Sequence, residues 1–254
     1  DSLLDILASL VTAFAVHHAL QPADREHRFG HGKAESIAGL GQSLFVIGSG
    51  FYLVSESVLR IFSPQAIQSS NTGIIVMLLS IFLSIVLVSF QRYVIKVSGS
   101  VAISADSLHY KGDILLNGSV ILAIVLSTYF QWVLADPIIA ISIAGYIFYL
   151  AYKLIRGSLD FLMDRELSDE NRERIKKAVL SHHEVEGIHD LRTRSSGRFS
   201  FIQFHLEIDG KKSLTESHRI SDEVEAEVQK LFPDAEILIH QDPEGVLEEQ
   251  KTFE

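Results

Sequence analysis

The sequence predicts a polytopic α-helical membrane bundle followed by a small α+β domain. Three observations carry that prediction. The 254-residue chain is 47% hydrophobic. Its charge is unevenly spread: residues 1–163 hold 10 acidic and 9 basic side chains, residues 164–254 hold 22 and 13. The charge-poor part also breaks into five apolar stretches, each reaching, alone or with its flanks, the roughly 20 residues that span a hydrocarbon core. The predicted domains are therefore residues 1–163 and 164–254. A net charge of −10 argues against nucleic-acid binding. The lack of cysteine excludes disulfides, thiolate zinc sites and cysteine nucleophiles. Any soft-metal chemistry must then use the 11 histidines together with carboxylates.

In chain order, Ile6–Leu20 is apolar and continues from an acidic opening, DSLLD. Ser36–Ser55 is uncharged, and Gly39, Gly41, Gly48 and Gly50 would allow close helix contact. Gly73–Phe90 lies in a stretch with no charge between Arg60 and Arg92. Val101–Thr128 is apolar around the polar segment ADSLHYKGDILLN, and Pro137–Tyr152 opens with proline in a helix-favoured first turn. The basic residues set the orientation. Arg25, Arg28, Lys33, Arg92, Lys96, Lys153 and Arg156 fall on one side if five helices alternate, while the opposite loops, 61–72 and 129–136, have no Lys or Arg. That bias puts the basic side and the C-terminal domain in the cytoplasm.

Residues 164–254 read as α-β-β-α-β. Ser168 caps a helix running to about Ser181. Gly187–Arg194 is a strand candidate, and in Phe199–Ile208 the residues Ile202, Phe204, Leu206 and Ile208 alternate with Gln203, His205 and Glu207. Ser213 and Glu216 form a capping box before a helix striped by Ile220, Val224, Val228 and Leu231. Pro233 stops that helix and Ala235–Gln241 is the last strand. This order predicts a compact, ferredoxin-like sheet with its helices on one face.

Four groups of residues carry metal chemistry. His109 and Asp113 are four apart, hence one turn apart on one helix face, where an imidazole and a carboxylate can grip one divalent cation. Ionisable residues inside a membrane helix cost about 2.5–3.5 kcal/mol or more and are usually functional. Asp1 and Asp5 repeat the spacing, so two helices offer a four-ligand site. Asp24, His27 and His31 follow a D-x-x-H-x-x-x-H pattern that can hold zinc with a water, or can be a solvated polar loop. In the C-terminal domain His189, His205, His218, His240 and Asp242 lie at element edges and could hold one or two metals. His182 and His183 read as surface residues, and His17 and His18 as interfacial ones at a helix end.

Together DSLLD, HYKGD, QPADREHRFGHGK, HDLRTR and IHQDP closely resemble the cation diffusion facilitators, and within them the bacterial zinc/proton exchangers, over essentially the whole chain. The resemblance implies six spanning helices, so that DSLLD belongs to the second and a first helix precedes it. It also implies the roles of the residues. Asp1, Asp5, His109 and Asp113 would be the transport site, and Asp24, His27 and His31 the loop site. His189, His205, His218, His240 and Asp242 would be a cytoplasmic binuclear site, with an oxygen from Gln241. Lys33 and Asp164 would be a salt bridge near the interface of a homodimer, for which C₂ symmetry is the default. The implied activity is export of zinc, or of cadmium or iron, from the cytoplasm across the bacterial inner membrane in exchange for protons. Zinc would be cargo and structural or regulatory ion, and protons the coupling ion.

Elementary chemistry agrees with exchange. Metal binding needs neutral imidazole and ionised carboxylate, so protons compete with metal. An imidazole, ordinarily titrating at about 6.5, changes charge near neutral pH. One imidazole among three carboxylates favours zinc or cadmium over magnesium. A metal-dependent hydrolase fits less well, since neither H-E-x-x-H nor G-x-S-x-G occurs. A passive channel needs weaker sites than a four-ligand cage. A membrane protein that stores or senses metal remains a third reading.

Overall fold

The computed structural model describes residues 2–62, 71–130, 132, 134–197 and 199–245, with side chains for all of these except 2–5, 8, 71, 127 and 128. Five long helices come first: α1 Ser2–Ala19, α2 Ala34–Phe62, α3 Asn71–Ser98, α4 Val101–Phe130 and α5 Ala135–Leu162. Then follow α6 Asp169–Leu180, β1 Gly187–Ser196, β2 Phe199–Ile208, α7 Leu214–Leu231 and β3 Ala235–Pro243. The chain divides into two compact units, one of Asp1–Pro22 and Lys33–Leu159, the other of Ala23–Gly32 and Asp160–Glu254.

Among the described residues four helices are long and apolar enough to cross a membrane: Ala34–Phe62, Thr72–Ser98, Val101–Leu126 and Ala135–Leu162. Three of them, Ala34–Phe62, Thr72–Ser98 and Ala135–Leu162, outrun the apolar stretches that announce them. Glu56, Arg60, Arg92, Lys96, Lys153 and Arg156 are all helical, because hydropathy registers only the hydrocarbon part while the backbone ladder continues into the headgroups. On α3 the side chains of Ile75, Leu79, Phe82, Val86 and Phe90 are mostly exposed. A continuous apolar surface of that kind would be an association hazard in water and is solvated in lipid. Some hydroxyls in these helices bond their own turn, Ser43 to the Gly39 carbonyl at 2.7 Å and Ser89 to that of Ile85 at 2.7 Å, whereas Ser36, Ser107 and Ser158 Oγ are buried without a hydrogen bond.

Packing among the helices depends on small residues, though not on all of those expected. A Cβ on Gly50 would stand 2.6 Å from the Phe148 ring of α5, and one on Gly39 would stand 3.1 Å from Val101 and 3.2 Å from Ser158 Oγ. Gly41 and Gly48 have nothing within 4 Å. Val46, Leu108, Ile147 and Ala151 form a buried cluster of α2, α4 and α5. Glu35 of α2 caps α4: its Oε2 accepts from the Val101 N–H at 3.0 Å and from Ser100 Oγ at 2.7 Å, placing negative charge at a helix N-terminus.

In the second unit the sheet order is β1-β2-β3, antiparallel between β1 and β2 and parallel between β2 and β3. The parallel pair needs the α7 crossover, as βαβ units do. Ile202, Phe204, Leu206 and Ile208 of β2 pack with Ile175 and Val179 of α6 and Ile220, Val224 and Val228 of α7. The α-β-β-α-β order and the one-sided helices are as the alternation implies. The capping box forms, Ser213 accepting from the Glu216 N–H while Glu216 accepts from the Ser213 N–H.

The second unit starts at Asp160 and takes in loop 23–32, whereas composition alone shifts at Asp164. Composition cannot register a segment held by contact. Phe29 packs edge-on to Phe201 at 5.3 Å, and the Arg194 guanidinium lies 4.3 Å from the Phe29 ring and 4.6 Å from that of Phe201. Gly32 abuts Gly197 so closely that a Cβ on Gly32 would stand 2.3 Å from the Gly197 nitrogen.

Candidate metal sites

On α4 the helical period does what the spacing predicts. His109 Nε2 lies 3.5 Å from Asp113 Oδ2, with side chains 13% and 35% exposed. The pair borders a cavity of about 680 Å³ whose wall includes Phe45, Gly48, Gly50, Gly112 and Ile147. Tyr110 stands edge-on to the His109 ring at 5.5 Å and Phe45 lies 6.1 Å away. Asp1 lies outside the described residues. Asp5 is in α1, and only its backbone position is described. Helix α1 packs against α4. One turn beyond Asp5, Ser9 Oγ contacts Asp106 Oδ1 at 3.4 Å and Tyr110 Oη at 3.1 Å.

The loop residues converge without help from a helix. Asp24 Oδ1 accepts from the backbone N–H of His27 at 2.6 Å and of Glu26 at 2.9 Å, an Asx turn. His27 Nδ1 lies 3.5 Å from Asp24 Oδ1 and His31 Nε2 3.4 Å from Oδ2. The His27 N–H, foremost among several causes, holds the Asp24 carboxyl below its ordinary range, which keeps it ionised and ready to ligate.

The open face of the sheet gathers the third group. Strand register sets His189 opposite His205 and His205 beside His240, with ring centroids 4.9 and 4.5 Å apart. The Asp242 carboxylate, 8% exposed, sits among them. Its Oδ2 is 2.7 Å from His205 Nδ1 and 3.4 Å from His189 Nε2, and its Oδ1 is 3.2 Å from His240 Nε2. His189 Nε2 is buried without a hydrogen bond, and a lone pair so placed suits a metal better than a core. Three imidazoles around one carboxylate are a donor set that fits zinc.

The register shift between His189 and Arg192 is a bulge that passes through Asp190, in left-handed backbone at φ 46°. It places Asp190 Oδ2 3.9 Å from His205 Nε2. Glu207 accompanies the cluster too, with Oε1 2.8 Å from His189 Nδ1, the contact that orients a ligating imidazole. Sequence reasoning named neither as a site residue. For Glu207 the signal was present, since it shares the polar face of β2 with His205; the bulge at Asp190 had none.

Two expected members are placed elsewhere. His218 lies on α7, 71% exposed, with Nδ1 3.7 Å from Asp222 Oδ1. Gln241 alternates onto the helix side of β3 and donates its Nε2 to Ser221 Oγ at 2.8 Å, which leaves its backbone oxygen as the available ligand. Asp164 Oδ1 lies 3.6 Å from Arg194 Nη1; Lys33 falls in the first unit and Asp164 in the second.

A fourth group, His182, His183 and Glu184, also brings its ligand atoms within 4.8 Å of one another. Hydrogen bonds from Arg219, then Lys212, hold Glu184 down at about 2, and those two cations oppose a third. His183 is 83% exposed, as expected of a surface residue. His182 is only 10% exposed, because its Nε2 meets Glu223 Oε2 at 2.9 Å. Its surface reading is thereby corrected: the turn after α6 folds that ring onto α7.

Comparison with known proteins decides the family. A profile described as cation efflux transmembrane domain matches residues 1–163. A second, described as cation efflux protein, cytoplasmic domain and labelled ZT_dimer, matches residues 167–244. The chain belongs to the cation efflux family. It is 45% identical to a cation-efflux pump FieF of Shewanella oneidensis over 96% of this chain and 82% of that one. To a cation-efflux pump FieF of Yersinia enterocolitica it is 44% identical over 99% of this chain and 83% of that one. The expected resemblance and fold class are borne out: the chain is a multi-pass membrane transporter, not an enzyme, with a C-terminal cytoplasmic domain.

Proposed function

We propose that the protein exports a divalent metal, zinc foremost and cadmium or iron as alternatives, from the cytoplasm in exchange for protons. The observation that carries this reading is the His109–Asp113 pair, 3.5 Å apart within a membrane helix and bordering a cavity. Two ligands from one helix leave a tetrahedral ion half satisfied. The packing of α1 on α4 supports Asp5, with Asp1 one turn before it, as the other half. With successive helices antiparallel, one turn back from Ser9 on α1 and one turn on from Tyr110 on α4 reach the same level, that of position 5 and of Asp113.

Protons and metal then compete for His109 and the carboxylates, and a shift of one helix pair against the other would alternate access. In a bacterial cell the membrane would be the inner one, with the C-terminal domain in the cytoplasm. Asp24, His27 and His31, and separately His189, His205, His240 and Asp242, would hold zinc as a structural or regulatory ion. A partner could complete the cytoplasmic site with His218 or the Gln241 oxygen. The label of the cytoplasmic family profile supports a homodimer, to which a Lys33–Asp164 pair would contribute.

Reconstitution of the full-length protein in vesicles tests the reading. Zinc flux driven by a pH gradient is expected, abolished by His109→Ala and relaxed towards manganese by His109→Asp. Proton-coupled zinc flux that survives His109→Ala would end it.

A further inference from the structure

Asp106 has no part in the ligand sets above, yet it is a carboxylate only 8% exposed, three residues before His109 on α4. Burial of such a group in a membrane helix is costly unless it is partnered. Its partners come from two other helices. Gln91 of α3, itself 6% exposed, donates Nε2–H to Asp106 Oδ2 at 2.7 Å. Ser9 of α1 donates to Oδ1 at 3.4 Å, and the same Ser9 oxygen lies 3.1 Å from Tyr110 Oη, one turn further along α4. Three helices therefore meet at one carboxylate, a turn away from the His109–Asp113 pair.

Among the other described side chains of α1, Thr12 and Ala15 are buried, but most of the large apolar ones face outward. Ile6, Leu7, Leu10, Val11 and Phe14 are more than half exposed, and apolar contact is non-directional. Height matters, because a slip of one residue along a helix moves a ligand by about 1.5 Å, whereas metal–ligand distances tolerate about 0.2 Å.

We infer that Asp106 is a positioning residue: through Ser9 it sets the level of α1 on α4, so that position 5 faces His109 and Asp113, and through Gln91 it ties α3 to the same turn. The inference rests on the transport-site reading above. Both carboxylate oxygens are engaged by hydrogen bonds, so the role needs a planar group that hydrogen-bonds at both positions and not negative charge. An asparagine at 106 can accept from Gln91 and donate to Ser9; a leucine can do neither.

The test measures zinc KM and maximal rate for the full-length protein in vesicles under a fixed pH gradient. Asp106→Asn is expected to keep KM close to wild type. Asp106→Leu and Ser9→Ala are expected to raise KM by about tenfold or more with the maximal rate largely kept, the size typical of lost second-layer support at a metal site. Ser9→Ala carries the test if the leucine variant fails to fold. The inference is overturned if Asp106→Asn is as impaired as Asp106→Leu, which would mean that the charge itself handles cation or proton. It is equally overturned if Asp106→Leu and Ser9→Ala match wild type. His109→Ala run alongside separates the two levels, since undiminished flux there removes the transport site while the Asp106 series is still read by its own KM values.

Discussion

The pair on α4 and the cluster on the sheet use the same donors and differ in how those donors are held. On the sheet, His189, His205 and His240 come from three neighbouring strands, and backbone register fixes their spacing. On α4, His109 and Asp113 come from one helix, whose i, i+4 spacing brings these two ligands to one ion. A complete ion shell there requires a second helix, held only by side-chain contact. A site divided between helices can be opened by moving one of them, whereas a site laid across hydrogen-bonded strands cannot be opened without breaking the sheet. The first arrangement suits cargo and the second suits a resident ion.

The sharpest way to break that contrast is Asp242→Ala. It should remove zinc from the sheet site, seen as a lower count of bound metal per chain, while pH-driven zinc flux persists. Flux lost together with sheet-bound zinc would show that the two sites are not independent. Gly50→Ala probes the side-chain-held region instead. A methyl group 2.6 Å from the Phe148 ring should cost about 1–3 kcal/mol by overpacking, read as a lower melting temperature in detergent.

Ser213→Ala sharpens the account of the sheet unit. Loss of the capping box should destabilise α7 by about 1 kcal/mol, visible in amide exchange of its first turn and not in metal content. The smallest effect is expected from Glu184→Gln. Bonds from Arg219 and Lys212 lower the Glu184 pKa from 4.5 to about 2. The stability this adds is complete above 4.5 and is lost as pH falls towards 2. The variant should therefore be slightly less stable than wild type at neutral pH, converge on it as pH falls towards 2, and so flatten the acid limb of an unfolding curve between those values.

Much of this was legible without coordinates. The alternation in β2, the capping box before α7 and the i, i+4 pairing of His109 with Asp113 are local, because period and cap chemistry act over a few residues. The gathering of His189, His205 and His240 was partly legible: the residues could be named, but which of them meet depends on strand order. His218 and Gln241 show the limit, since their neighbours are decided by the face that each element turns inward.

The sequence by itself determined where the apolar spans lie, the α-β-β-α-β order and the ligand types, since each follows from composition and short-range geometry. Only the tertiary structure decided that loop 23–32 joins the second unit through Phe29 and Gly32, that Glu207 and Asp190 stand beside the sheet histidines, and that Asp106 gathers Gln91 and Ser9. Each is a meeting of residues far apart in the chain, and no local period encodes which distant surface a side chain will find.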